Sequence, residues 1–218
     1  MKYGFLFLLL ALALSITAAR VGPWAWPLFY PAFSFGVVAA AYSHSAPGVF
    51  GKRFDGGRSR LGTLLVFPYV VYVAAVWHLV RLLSREPKLS LLGNDLILSR
   101  RLLGHELPDN IASVVDLTCE FTEPKRDWML QSYTCHPMLD GSAATSEELR
   151  KLAAEINDMP KPVLIHCAQG HGRTGLVASA VLLVSGKANT AADAIAMVQS
   201  ARPGVELNQL QRSVLEQI

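Results

Sequence analysis

Three cysteines stand in this chain, and one of them is followed by a pattern that could do chemistry. Cys167 opens the segment Cys167-Ala168-Gln169-Gly170-His171-Gly172-Arg173-Thr174, in which five residues separate a thiol from a guanidinium. Six residues after Cys119 stands Lys125, and six after Cys135 stands Gly141, so neither repeats the pattern. The apolar run Val163-Leu164-Ile165-His166 leads into the segment, and a helical pattern from about Arg173 to Val184 follows it. A loop that leaves a buried strand and enters a helix turns its N–H groups and the helix N-terminus towards one point, which binds an anion. Gly170, Gly172 and Gly175 permit positive φ and close backbone approach, as a loop wrapped around a phosphate requires. Amides, helix dipole and Arg173 together would stabilise Cys167 as the thiolate, its nucleophilic form. Arg173 offers a planar fork for two phosphoryl oxygens. The Thr174 hydroxyl is expected to hydrogen-bond the sulfur and help it leave, and His166 to fix the loop through its ring nitrogens. The expected anion cradle is Ala168, Gln169, Gly170, His171, Gly172 and Arg173.

The elements that must hold this loop are legible from about residue 95 onward. Short apolar strands alternate with helix patterns, which suggests βαβ units and a parallel sheet. Ile111–Leu117 reads as a buried strand, and Ser132–Cys135 as a weaker one. Thr145-Ser146-Glu147-Glu148 matches a helix capping box. Leu149, Leu152, Ala153 and Ile156 then follow at the spacing of one helix face. Pro160 and Pro162 end that helix, Gly186 stops the one after the loop, and Thr190 opens another. Pro203-Gly204 separates that helix from a last one running to Ile218.

His166-Cys167-x5-Arg173-Thr174 resembles the signature of the cysteine-dependent protein tyrosine phosphatase superfamily, and of its dual-specificity branch in particular. The resemblance extends over roughly residues 95–218. It implies an α/β fold with a central, mainly parallel sheet flanked by helices, and an activity that needs no metal and no cofactor. In that branch a general acid lies shortly after a strand, in a loop that begins with proline. His136-Pro137-Met138-Leu139-Asp140-Gly141 fits, which makes Asp140 the implied acid. Arg202-Pro203 and Asn208 match an Arg-Pro and an Asn that the branch tends to carry after its signature helix. Gln211 departs from it, at a position that is apolar or aromatic in the pattern. The implied chemistry is attack by Cys167 on phosphorus, a cysteinyl-phosphate intermediate, and proton transfer by Asp140.

Rival assignments are weaker. Asp158 is the other candidate acid, but it stands at a helix end just before Pro160. Asp116 sits inside a strand and suits a structural acceptor. A zinc site from Cys135, His136, Cys167 and His171 lacks any usual ligand spacing. The implied substrates are phosphotyrosine, phosphoserine or phosphothreonine in proteins, with a singly phosphorylated lipid head group as the alternative. The loop interior holds no Lys, which disfavours polyphosphoinositides. A non-catalytic phosphate-binding module is a third reading, disfavoured because nucleophile, Arg, Thr and candidate acid are all present.

The N-terminal part has another character. Over 218 residues, 51% are hydrophobic and 17% charged, and the mean hydropathy is +0.31. These values exclude a disordered chain and are too apolar for an ordinary soluble domain. Residues 1–89 carry nine basic and two acidic residues, net +7, and residues 90–218 eleven basic and fifteen acidic, net −4. The basicity therefore belongs to the first part, and nucleic acid is not an expected partner. Uncharged runs at Tyr3–Ala19, Val21–Gly51 and Leu61–Val80 meet the length that a bilayer requires. We expect a membrane region over residues 1–89 with about three transmembrane helices, near 3–19, 28–49 and 61–83, and a catalytic domain over 90–218. Residues 1–20 also have the form of a signal peptide. Basic residues flank the runs on both sides almost equally, so the positive-inside rule does not orient the chain. An oxidisable thiolate and an odd number of cysteines suit a reducing compartment, so the expectation is a multi-pass protein with a cytoplasmic domain.

Overall fold

The structure, a computed structural model, describes residues 2–123 and 132–218. The chain divides into two compact units. The first comprises residues up to Arg53 with Gly57–Ser84 and Cys119–Thr122, and the second Phe54–Gly56, Arg85–Thr118 and the described residues from Glu123 on.

The first unit is built on three helices, α1 (Lys2–Val21), α2 (Phe29–Ser43) and α3 (Arg60–Leu83). Among the described residues, three segments are long and apolar enough to cross a membrane, Tyr3–Val21, Pro23–Ser43 and Arg60–Leu83. The second falls short of the helix expected over 28–49. A 3-10 turn occupies Pro23–Leu28 and α2 stops at Ser43. Ser45 takes φ +52 and Pro47 starts a separate 3-10 turn, because proline disfavours the helical conformation of the residue before it. Pro68 stands inside α3 and cannot donate to the carbonyl four residues back. Side chains of α2 compensate. The Tyr30 hydroxyl donates to Leu64 O at 2.6 Å, and Ser34 Oγ accepts from the Tyr69 N–H at 3.3 Å. Phe7, Phe35, Phe50 and Tyr69 close the bundle with ring centroids 5.3–6.1 Å apart. Lys52 donates to Phe121 O, and Arg58 to Glu120 O at 2.6 Å.

The second unit is a five-stranded sheet of β1 (Leu89–Leu92), β2 (Leu96–Arg100), β3 (Ser113–Thr118), β4 (Ser132–Met138) and β5 (Val163–Cys167). Its order is β1-β2-β5-β3-β4, antiparallel at β1–β2 and parallel elsewhere. The β1–β2 hairpin turns on Gly93, at φ +67, and was not among the elements expected from the sequence. Alternation along each strand sorts the side chains onto two faces. Leu98, Val115, Leu117, Val163 and Ile165 join one cluster with α4 (Ser146–Asp158), α5 (Gly172–Val184), α6 (Ala191–Ala201) and α7 (Gln209–Leu215). Ile97, Val114 and Leu164 face the other way, under Leu102, Leu107 and Ile111. Helix α5 is buried on ten of its thirteen residues, as a central helix must be if it is apolar all round. The capping box of α4 forms, with Thr145 N donating to Glu148 Oε2 at 3.0 Å and Glu148 N to Thr145 Oγ1 at 3.2 Å.

The segment over the second face is pinned by Glu106. Arg100 donates to both of its carboxylate oxygens (3.1 and 2.9 Å), Leu103 N to one at 2.9 Å, and Lys88 Nζ lies 2.9 Å away. Burial alone would raise this carboxyl, but the bonds from Arg100, Leu103 and Lys88 outweigh it and hold it at about 2, below the ordinary 4.5. A lowered folded-state value means the stabilisation is full above pH 4.5 and is lost as the pH falls towards 2. Glu106→Gln should therefore cost about 3 kcal/mol at pH 7. Its deficit against the wild type, in urea unfolding of detergent-solubilised protein, should shrink steadily between those pH values. An equal deficit across the range would show that the ionised carboxylate is not the stabilising species.

Candidate active site

Strand β5 ends at Cys167 and α5 begins at Gly172, so residues 168–171 form the connecting loop. Cys167 is 3% exposed, and its Sγ accepts from the Gly170 N–H at 3.2 Å. The carbonyls of the loop are held from outside. Ala168 O accepts from Arg101 N at 3.2 Å, Gln169 O from Arg202 Nη2 at 3.1 Å, and Gly170 O from Arg202 Nε at 2.8 Å. Gly170 takes φ +75, and a Cβ there would lie 2.5 Å from the Ser99 carbonyl, so the position admits only glycine. At Gly175 a Cβ would meet Val205 at 2.4 Å. Gly172 needs neither freedom, contrary to the sequence expectation, since it is an ordinary first helical residue with nothing closer than 3.6 Å to such a Cβ.

Arg173 enters the site from the first turn of α5 and is 1% exposed. Its Nη1 donates to Met138 O at 3.0 Å and to Leu117 O at 3.4 Å, at the ends of β4 and β3. Asp140 Oδ1 lies 3.5 Å from Arg173 Nε, with the aspartate side chain 48% exposed. Asp140 follows β4 by two residues and precedes a turn at Gly141, φ +72. That turn is tethered to the start of α7. Asn208 Nδ2 donates to Gly141 O at 2.8 Å and Gln211 Nε2 to Ser142 O at 3.0 Å. Gln211 Oε1 also accepts from Asn208 N at 3.2 Å, closing the cap of α7. The residue that departs from the family pattern is thus buried and holds the Asp140 turn. Asp158 is exposed at the last position of α4, at the N-terminal edge of β5, whereas Cys167 ends that strand.

Two expectations about neighbouring residues fail. Neither ring nitrogen of His166 makes a hydrogen bond; its Nε2 faces Asp116 Oδ1 at 3.9 Å and Glu123 Oε2 at 3.8 Å. His166 therefore does not fix the loop through ring hydrogen bonds. The Thr174 hydroxyl is buried without a hydrogen-bond partner, so it is not bonded to the sulfur. Both departures have one origin. The two side chains point into the packed interior, where neighbours in space rather than in sequence decide the contacts.

Asp116 is the structural acceptor anticipated for it. It takes Thr118 N at 2.8 Å, Thr118 Oγ1 at 2.7 Å and the Tyr133 hydroxyl at 3.0 Å. Burial and then the Asp116 charge push the Tyr133 hydroxyl far up, which keeps it a donor. Among the described residues, Asp116, Glu123 and His166 form a group with metal-ligand atom types, all within 4.8 Å of one another. The His166 Nε2 distances of 3.9 and 3.8 Å to the two carboxylates are wider than the roughly 3–3.5 Å between ligands of a tetrahedral ion with bonds near 2.1 Å. The arrangement at Cys167 can bind a tetrahedral anion and present a nucleophile to it. Glu86, whose carboxylate meets His171 at 2.6 Å, carried no signal in the sequence.

Residues 108–217 match the family model described as the dual specificity phosphatase catalytic domain. A comparison with curated proteins finds no match. Among solved structures, Tk-PTP in its active form is 28% identical, covers 60% of this chain and 95% of its own, and superposes with a TM-score of 0.54. Human DUSP28 is 20% identical, with 60% and 92% covered and a TM-score of 0.52. PTPMT1, solved in complex with PI(5)P, is 14% identical, with 60% and 94% covered and a TM-score of 0.50. The last two likenesses concern the fold. Half of the chain matches the family model, and the chain belongs to the dual specificity phosphatase family.

Proposed function

We propose that this phosphatase is a membrane-anchored phosphomonoester hydrolase that works through a cysteinyl-phosphate, with phosphotyrosine, phosphoserine and phosphothreonine of proteins as substrates. We take residues 90–218 as its catalytic domain. The observation that carries this reading is a strand–loop–helix passage in which Cys167 Sγ accepts from the Gly170 amide and the buried Arg173 of the first helical turn lies 3.5 Å from Asp140. In the proposed reaction the Cys167 thiolate attacks phosphorus in line. The S–P bond forms as the bond to the leaving oxygen breaks. Arg173 and the loop amides take up the charge on the equatorial oxygens. Asp140 gives its proton to the leaving oxygen. Then, as carboxylate, it takes a proton from the water that attacks phosphorus, so that a P–O bond forms as the S–P bond breaks, releasing phosphate and the thiolate.

Membrane anchoring is supported by apolar side chains that a soluble fold would bury. Phe5, Leu9, Leu12 and Ile16 share one exposed face of α1, and Leu61, Leu64, Val71 and Leu82 are exposed on α3. The same helices favour a second reading, in which the substrate is a singly phosphorylated lipid head group drawn from the bilayer. Phosphopeptides assayed against detergent-dispersed monophosphorylated lipids separate the two.

Cys167→Ser should abolish turnover while binding of a phosphate analogue persists, because the cradle and Arg173 remain. A Ser variant with a tenth of the activity would move the nucleophile elsewhere. Asp140→Asn should slow turnover by about 10²–10⁴-fold for esters of poor leaving groups and far less for an activated aryl phosphate. A loss independent of leaving-group pKa would make Asp140 structural and turn attention to Asp158. The thiolate is readily oxidised, which supports a catalytic domain in the reducing cytoplasm. A reporter fused after Ile218 should be active inside the cell, and activity only outside would reverse this orientation.

A further inference from the structure

The segment between α3 and β1 brings an acidic side chain to the phosphate loop. Glu86 Oε2 lies 2.6 Å from His171 Nε2 and 3.7 Å from Arg202 Nη2. The side chains of Glu86 and His171 are 42% and 33% exposed, so the pair stands at the open rim of the loop rather than in the core. The turn after Arg202 closes over them. A Cβ at Gly204 would come within 2.5 Å of Glu86 Oε1 and 2.7 Å of His171 Nε2, so the glycine leaves room for the pair.

The charges at this rim are unevenly presented. Arg202 is buried and its three nitrogens are engaged by Gln169 O, Gly170 O, Pro87 O and Ser90 Oγ. Arg173 is buried at the foot of the loop. Both cations are thus turned away from solvent, whereas the Glu86 carboxylate, although paired with His171 and Arg202, is half exposed at the rim. A second anion brought beside this carboxylate would be repelled, and a neutral or cationic group would not.

We propose that Glu86 is a specificity-determining residue, restricting the site to a phosphomonoester with no second anion close by, whether that ester belongs to a protein or to a lipid. The inference rests on the catalytic reading of Cys167 and deepens it by naming the substrate class.

The test compares 4-carboxyphenyl phosphate with 4-carbamoylphenyl phosphate on the full-length, detergent-solubilised protein. The two probes are nearly isosteric and differ by one charge on the far side of the ring. Glu86→Gln preserves the shape and a hydrogen bond to His171 while removing the charge. The ratio of kcat/KM for the charged over the neutral probe should rise about 3–10-fold in the variant at low ionic strength. That gain should largely vanish near 0.5 M salt, where screening is strong. Taking the ratio between variant and wild type cancels the difference in leaving groups. A loosened loop would change both probes alike and independently of salt, so an unchanged ratio overturns the proposal. If Cys167→Ser hydrolyses the neutral probe as fast as the wild type, or the wild type hydrolyses neither probe, the catalytic reading falls. Loss of turnover in Cys167→Ser alongside an unchanged Glu86→Gln ratio leaves that reading standing and removes this inference alone.

Discussion

A loop that wraps an anion must turn peptide N–H groups inward, and each one so turned sends carbonyls outward that need donors of their own. That accounting governs the second unit. Arg202 supplies donors to Gln169 O and Gly170 O, and the Arg101 N–H supplies one to Ala168 O. Arg202 also reaches Pro87 O and Ser90 Oγ, so one guanidinium joins the loop after Cys167 to the first strand and the segment before it. Bonds to a charged donor are worth more than neutral ones, roughly 1.5–3 kcal/mol each. The apolar cluster of the sheet and helices supports α5 from one side, but the inward set of the amides depends on this outer set of polar contacts.

The apolar unit solves the same problem by other means. Pro68 removes one helix donor in α3, and the carbonyl it leaves unbonded, Leu64 O, needs another. Tyr30 and Ser34 of α2 reach across to Leu64 O and the Tyr69 N–H. The interhelical bonds are thus a consequence of the proline. They also set which faces of α2 and α3 meet, since the Tyr30 donor and the Ser34 acceptor must arrive at one turn.

Features determined within a few residues were legible in the sequence. The strand–loop–helix passage around Cys167, the Thr145–Glu148 capping box and the Thr190 cap, which accepts from Asp193 N at 3.1 Å, rest on short-range chemistry. The β1–β2 hairpin was missed because its turn, Gly93-Asn94-Asp95, lies where the composition shifts from apolar to mixed. Closeness in sequence to Cys167 suggests hydrogen bonds for His166 and Thr174, yet both side chains are buried and neither makes one. Glu86 meets His171 across 85 residues, a distance in sequence that no local pattern spans. Gln211 looked like a defect in a family pattern. Its partner Ser142 O is 69 residues away, so its value could not be read from its neighbours.

Gln211 also bears on how the Asp140 turn can be placed at all. Asp140 itself is half exposed, with its Oδ1 3.5 Å from Arg173 Nε. What orients it is the turn that follows, held by Asn208 and Gln211, which are the two members of the α7 cap. Helix α7 has seven residues, too few to be stable alone, and is anchored through the buried Val214 and Leu215. Its cap and the Asp140 turn therefore form one cooperative unit. An apolar residue at position 211 could pack beneath the turn but could not donate to Ser142 O. The glutamine replaces non-directional packing with a directed bond worth about 1 kcal/mol. The position of Asp140 consequently depends on the docking of the C-terminal helix.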